Sequence, residues 1–441
     1  MNILKKACIG ILTMESRLVI KKYKPFVVAV TGSVGKTSTK DAIYDVLCAP
    51  GVCDNQHICF VRKSEKSLNS EIGLPLTILG VPNAWHSLAG WLRNVQSGFD
   101  LIIRKADYPD CLVLELGADH PGDIKRVTKW LKPDIAVITR VSRTPVHVEF
   151  FKSPEEVFEE KAALADAVKP GGTLITFADD DKTLSLIERV KSRGVSTVSF
   201  GMNESAQVRG SDYKVLYSPS NAPIGMSFNI NLDNAVVAIE LKNIIGQAYM
   251  YPLLSAASVA KVKGIDSTAI GKSLSAYDAP RGRMNLIPGV NGSTLIDDSY
   301  NSSPDAVVAA LDALKEIQCS GSKIAILGDM MELGKYSADE HKKAGREAAG
   351  IVGRLFTVGQ RSRATAEEAI KSGLAQEAVL SFDSATEAAE HVKALIRPSD
   401  VILTKGSQSI RMERVTKALL ADPERSGELL VRQEKEWLEK A

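Results

Sequence analysis

No stretch of this chain reaches the run of about eighteen apolar residues that spans a bilayer, so a membrane-crossing helix is not expected. A charge excess is also missing. The 55 Lys and Arg nearly balance 53 Asp and Glu, and a net charge of +2 offers no basic footprint for nucleic acid. Cysteine is scarce: Cys8, Cys48, Cys53, Cys59, Cys111 and Cys319 show no C-x-x-C pair and follow no secretory-signal pattern. That disfavours a disulfide scaffold or zinc ribbon, and reduced thiols in a cytoplasmic protein are expected. The local group Cys53, His57 and Cys59 fits no recognised zinc spacing. Internal repeats and low-complexity tracts are absent as well.

What remains is ordinary globular material, 44% hydrophobic and 24% charged over 441 residues, enough for two or three domains. Residues 1–24 alternate Ile11, Leu12, Leu18 and Val19 with Arg17, Lys21 and Lys22. This basic amphipathic pattern suits a helix packed on the main body, with an anionic membrane surface as the other reading. After Pro25 come short apolar runs bounded by breakers, at Phe26–Val30, Cys111–Leu116, Ile135–Thr139 and Thr173–Phe177. Helical patterns at Lys40–Leu47 and Pro154–Val168 lie between them, and strand alternating with helix predicts a mostly parallel sheet covered on both faces. Alternation at Ser227–Asn231 suggests an antiparallel hairpin, and Leu253–Lys263 a buried helix. A breaker-rich turn, Tyr277–Pro288, reads as a hinge. Strand runs then recur at Ser293–Ile296, Lys323–Leu327, Arg354–Val358 and Asp400–Thr404, with helices at Pro304–Glu316, Ala338–Ala349 and Ser384–Ile396. The fold class is therefore α/β. A P-loop-type central domain, residues 25–280, precedes a Rossmann-like C-terminal α/β domain, residues 281–441.

Between the first strand and the first helix lies Thr31-Gly32-Ser33-Val34-Gly35-Lys36-Thr37-Ser38. Glycines let backbone N–H groups curl round phosphate oxygens, and a helix N-terminus adds positive partial charge. In such a loop Lys36 reaches the β and γ phosphates and the Thr37 hydroxyl serves Mg²⁺. Only two residues separate Gly32 from Gly35, so the loop is shorter than G-x-x-x-x-G-K-[ST]. Alone it implies a nucleotide, not a reaction.

Further motifs follow in a fixed order: Asn69-Ser70-Glu71-Ile72-Gly73-Leu74-Pro75, Leu114-Glu115-Leu116-Gly117-Ala118, Asp297-Asp298-Ser299-Tyr300-Asn301, Leu327-Gly328-Asp329-Met330-Met331-Glu332-Leu333-Gly334 and Lys405-Gly406-Ser407-Gln408-Ser409. Together with Thr31–Thr39 they resemble the Mur ligase family, and most closely its member that adds D-alanyl-D-alanine to a muramoyl peptide. The resemblance implies an ATP-dependent ligase. It phosphorylates a carboxylate to an acyl phosphate, which an amine then displaces. It implies that Lys36 and the loop Gly32–Ser38 hold phosphates, and that Thr37 and Glu115 ligate one Mg²⁺. His147 and Lys161, the latter carried as a carbamate in relatives, would serve a second. Arg283 would reach the γ-phosphate, Asp298 the ribose, and Tyr300 and Asn301 would lie near the nucleotide. Asn69, Ser70, Lys405 and Ser407 would meet the substrates, a muramoyl peptide and D-alanyl-D-alanine. The residues themselves leave other readings open. Lys161 follows Glu155, Glu156, Glu159 and Glu160 and so fits a solvated helix face. Glu115 fits a helix cap, and the Asp329–Leu333 segment an apolar turn.

The sequence also departs from the family. The residues before Pro25 are too few for the uridine-binding domain that usually comes first, which leaves a UDP-linked substrate in doubt. Residues 81–108 form an extra segment with Trp85, Trp91 and Phe99 beside Arg93, Arg104 and Lys105. With residues 1–24 it could meet a membrane peripherally, or pack as a plain helical insertion. Arg140 and Phe177 replace asparagines common in relatives. A Mur-like ligase of another pathway and a nucleotide-regulated, non-catalytic partner subunit are the competing readings, and a monomer is expected.

Overall fold

A computed structural model describes residues 3–49, 60–65, 72–85, 87–233 and 235–439, with the side chains of residues 3–6 excepted. The Cys53/His57/Cys59 group and the expected substrate residues Asn69 and Ser70 lie outside the described residues.

The first apolar runs become strands because each is flanked by breakers and buried on both faces. They are β1 (Phe26–Thr31), β2 (Val61–Lys63), β3 (Cys111–Glu115), β4 (Ile135–Ile138), β5 (Thr173–Phe177) and β6 (Ser196–Gly201). Then come β7 (Val208–Tyr217), β8 (Pro223–Leu232) and β9 (Ala235–Lys242). The sheet order is β2-β3-β1-β4-β5-β6-β7-β8-β9. Pairing is parallel from β2 to β7 and antiparallel from β7 to β9, so the expected hairpin is in fact two long hairpins in a meander. β1 has β3 on one side and β4 on the other, so the chain leaves β1 at a topological switch point, where open α/β sheets bind ligands.

A second sheet contains β10 (Asn285–Pro288), β11 (Thr294–Asp298), β12 (Lys323–Gly328), β13 (Arg354–Val358), β14 (Val379–Phe382) and β15 (Val401–Lys405). Its order is β10-β11-β15-β12-β13-β14, parallel except for β10 against β11. Asp298 is in register with Lys405, which puts both at the strand ends that carry ligand sites. One apolar cluster runs from the first sheet through Ile244, Ile245, Met284 and Leu286 to Ala310 and Ala313, joining the two halves at the hinge.

Residues 3–23 form one helix. Leu12 and Val19 are buried against Leu74, Leu76 and Trp91, and Lys22 Nζ donates to the carbonyls of Leu101 and Ile102, closing the end of helix Leu88–Ile103. The packed reading of this segment therefore describes its inner face. Its outer face carries Ile11, Met14 and Leu18, all exposed. No described helix is long and apolar enough to cross a membrane.

Candidate active site

The loop after β1 turns sharply into helix Lys36–Leu47 through Gly35, whose φ of 83° is left-handed and suits glycine. Gly32 is needed for a different reason. A Cβ there would lie 1.9 Å from Thr139 Oγ1, the hydroxyl that donates to the Val34 carbonyl at 2.8 Å and pins the loop. The Ser33 N–H also donates to the Arg140 carbonyl at 2.8 Å, so β4 fixes the loop from outside. Lys36 starts the helix and folds back to donate to the Gly32 carbonyl at 3.0 Å. Thr37 Oγ1 donates to Glu115 Oε1 at 3.2 Å across the β1–β3 boundary.

These groups line a cavity of about 370 Å³ between the two sheets. From the first half come Ser33, Val34, Gly35, Lys36, Thr37, Ser38, Glu115, His147 and Lys161; the second half adds Arg283, Asp298, Tyr300, Asn301 and Lys405. Two expected residues do not line it. Gly32 shapes the loop from behind. Ser407 is buried with its Oγ accepting from the Met331 N–H at 2.9 Å, so it holds the 329–334 loop instead.

Lys161 corrects the reading of a solvated helix face. Ser153 and Pro154 start helix Pro154–Ala165, and this sets Glu155 and Glu159 outward while Lys161 is buried. Glu160 is buried too, but accepts from the Gly122 and Lys125 N–H groups at 2.9 Å each. No hydrogen bond or ion pair among the described residues reaches the Lys161 amine. Burial, aided by neighbouring Lys36, pushes it down to about 7. A neutral amine in a cavity wall is a nucleophile able to take up carbon dioxide as a carbamate, whereas a protonated one is not. Burial likewise lowers Lys36, with Glu115 opposing the shift.

Lys405 lines the cavity from the second half. Its amine pairs with Asp298 Oδ2 at 2.5 Å and donates to the Asn301 carbonyl at 3.0 Å, so both partners are engaged with each other. Arg283 lies 4.3 Å from the Tyr300 ring centroid, and Arg432 lies 5.4 Å from the same ring while donating to the Ser299 and Tyr300 carbonyls. Asp119 was not foreseen from the sequence. It lines the cavity with Oδ1 at 3.4 Å from His147 Nε2. The available signal was its place in the loop after the Glu115 strand. Phe177 stacks edge-on against Tyr251 at 4.8 Å, filling the place of the asparagine expected there.

Chemically, the wall supplies Lys36 and Arg283 for phosphate charge, and the hard oxygens of Thr37 and Glu115 for a cation such as Mg²⁺. Among the described residues no group of three His, Cys, Asp or Glu forms a closed metal cage. Two protein oxygens fit Mg²⁺ that takes its other ligands from phosphates and water.

Residues 30–89 and 94–260 match the Mur ligase middle domain, and residues 282–408 match the glutamate ligase domain of Mur ligases. The chain belongs to the Mur ligase family. Its members are ATP-dependent, ADP-forming ligases, and the loop, Glu115 and Lys161 of this Mur ligase lie together in one cavity. UDP-N-acetylmuramoyl-tripeptide–D-alanyl-D-alanine ligase of Bacillus subtilis is 28% identical over 399 residues, covering 90% of this chain and 76% of that one. The enzyme of the same name from Mycobacterium tuberculosis is 30% identical over 415 residues, covering 90% and 73%. In fold the chain is similar to MurF from Acinetobacter baumannii, with a TM-score of 0.74, 24% identity, and coverage of 93% and 79%. It is also similar to MurF ligase from Thermotoga maritima in complex with ADP, with a TM-score of 0.72, 24% identity, and coverage of 93% and 83%.

Proposed function

We propose that this Mur ligase joins D-alanyl-D-alanine to the free carboxylate of a muramoyl tripeptide at the expense of ATP, in peptidoglycan precursor synthesis. The observation that carries the reading is the single cavity in which phosphate-loop, hinge-arginine and second-sheet residues meet, in a chain whose relatives bear that name. A carboxylate is a poor acyl donor until one oxygen becomes a phosphate leaving group. Its attack on the γ-phosphorus releases ADP. The dipeptide amine then attacks the acyl carbon, loses a proton, and the tetrahedral adduct expels inorganic phosphate. Lys36, the loop N–H groups and Arg283 neutralise charge that spreads over the transferred phosphoryl group. Thr37 and Glu115 would hold Mg²⁺, which would supply further charge neutralisation. His147, Asp119 and a carbamate on Lys161 form the candidate second cation site, since carbamylation would turn a buried neutral amine into an anionic oxygen ligand. We place the division between catalytic units at residues 280 and 281.

The exposed flank of the paired helices supports a finer reading of location. Ile11, Met14 and Leu18 on the first, and Leu88, Leu92, Phe99 and Ile103 on the second, stand in water beside Arg17, Lys21, Arg93 and Lys105. The one acid of the first helix, Glu15, is turned inward. An apolar stripe with a basic rim suits an anionic lipid surface. Sedimentation with phosphatidylglycerol vesicles should carry the protein down and phosphatidylcholine vesicles should not; no sedimentation with either would refute lipid contact, and equal sedimentation with both would refute the anionic preference.

Phosphate release from ATP tests the activity, with UDP-muramoyl tripeptide and its lipid-linked counterpart as alternative acids. Release that requires both an acid and D-alanyl-D-alanine, and that Lys36→Ala reduces at least about a hundredfold, is the expected result. ATP binding with no turnover on either acid would move the assignment to a Mur ligase of another pathway.

A further inference from the structure

The 329–336 loop of the second half is tightly specified. Asp329 Oδ1 accepts from the Ser362 N–H at 2.7 Å, the Met330 N–H donates to His341 Nε2 at 3.0 Å, and the Met331 N–H donates to Ser407 Oγ at 2.9 Å. Beyond these anchors Glu332 has φ 63°, a conformation uncommon outside glycine. At Gly334 a Cβ would lie 2.9 Å from the Cβ of Glu149, so a side chain there would push the loop off the first half. Tyr336 then packs on Val148, Phe151 and Val157, a small apolar cluster of its own.

These contacts set Glu332 against His147. Glu332 Oε2 is 2.7 Å from Nδ1, while Nε2 faces Asp119 Oδ1 at 3.4 Å. Neutral imidazole has one N–H. When Nδ1–H donates to a carboxylate, the ring is fixed in orientation and the Nε2 lone pair is left to a ligand. A half-exposed ion pair by itself would be worth little. Here the pair comes with a strained backbone, three loop anchors and an obligatory glycine, all of which serve to deliver one carboxylate to one histidine.

We propose that Glu332 is a positioning residue that sets the tautomer and ring orientation of His147, so that Nε2 and Asp119 present a divalent-cation site only when the two halves are together. The inference rests on the reading of His147 as a cation ligand, and it goes further in making cation affinity depend on a residue of the other half. Binding of cation at this site and approach of the halves then favour each other, because each stabilises the arrangement the other needs.

The test is a Mn²⁺ titration of the full chain with saturating ADP, followed by the free Mn²⁺ resonance signal, beside ADP affinity in metal-free buffer. Glu332→Ala should raise the half-saturating Mn²⁺ about tenfold and leave metal-free ADP affinity unchanged. Glu332→Gln keeps an acceptor oxygen and should recover most of the loss. Gly334→Ala, which displaces the loop with Glu332 intact, should weaken Mn²⁺ in the same direction. In a His147→Ala background Glu332→Ala should add nothing, since the glutamate acts through that ring. An unchanged midpoint in Glu332→Ala, or a full further loss in the His147→Ala background, overturns the proposal alone. A His147→Ala chain that binds Mn²⁺ in the same amount and with the same midpoint as the unaltered chain overturns the cation reading of His147 and this inference with it.

Discussion

Lys161 brings an amine into the interior with no ion pair or hydrogen bond among the described residues to hold it there. Burying an amine that makes no hydrogen bond costs free energy, and an apolar side chain of similar length avoids that cost. Lys161→Met should therefore raise the melting temperature while abolishing phosphate release. A drop in both would mean that the amine has a structural partner. Asp297 is a buried charge outside the cavity. It sits on β11, accepts from Thr416 Oγ1 at 3.1 Å, and burial pushes its carboxyl up from 3.8 to about 6. Between those values the folded chain keeps a proton that the unfolded chain has lost, so stability falls as pH rises from 4 to 6 and stays lower above 6. Asp297→Asn should add about 3 kcal/mol at pH 7.5 and nothing at pH 4. Denaturant unfolding at both values checks this, and an equal effect at both would contradict it. Neither burial is visible in sequence. Lys161 follows a run of glutamates of which Glu155 and Glu159 face solvent, and only the helix phase set by Ser153 and Pro154 turns it inward.

At the scale of elements, the phosphate loop depends on how closely β4 approaches it. Gly32→Ala would put a methyl group onto Thr139 Oγ1 and break the hydrogen bond to Val34. ADP binding should fall at least about a hundredfold with the circular dichroism spectrum unchanged. Retained affinity would show that the loop has another way to close. Elements buried on both sides were legible as apolar runs: β5 and β13 occupy the very residues that the pattern marks. Helix Lys36–Leu47 begins earlier than its Lys40–Leu47 pattern, because Gly35 and Lys36 start it for the loop's sake. β14 was invisible, since a four-residue edge strand with Leu380 and Ser381 exposed has no buried run to reveal it. The meander showed only at Ser227–Asn231, where its middle strand alternates most cleanly. A register shift between Ser211 and Lys214 hides β7.

Across the whole molecule, catalysis needs the strand ends of two sheets to face one another. Sequence order gave both sets of motifs but not their partners. Lys405, expected near an amino-acid substrate, pairs with Asp298 on the neighbouring strand, and Ser407 anchors the loop that carries Glu332 to His147. The first two contacts depend on strand order within one sheet and the last on the placement of one half against the other, and no local pattern encodes either. The molecule's account of itself as a dipeptide-adding ligase is tested most directly by product mass. After incubation with ATP, Mg²⁺, D-alanyl-D-alanine and a muramoyl tripeptide, UDP-linked or lipid-linked, the acid should gain the mass of the dipeptide less one water, with one ADP formed per product. ADP formation without that adduct, or the adduct formed equally well by Lys36→Ala, would contradict it.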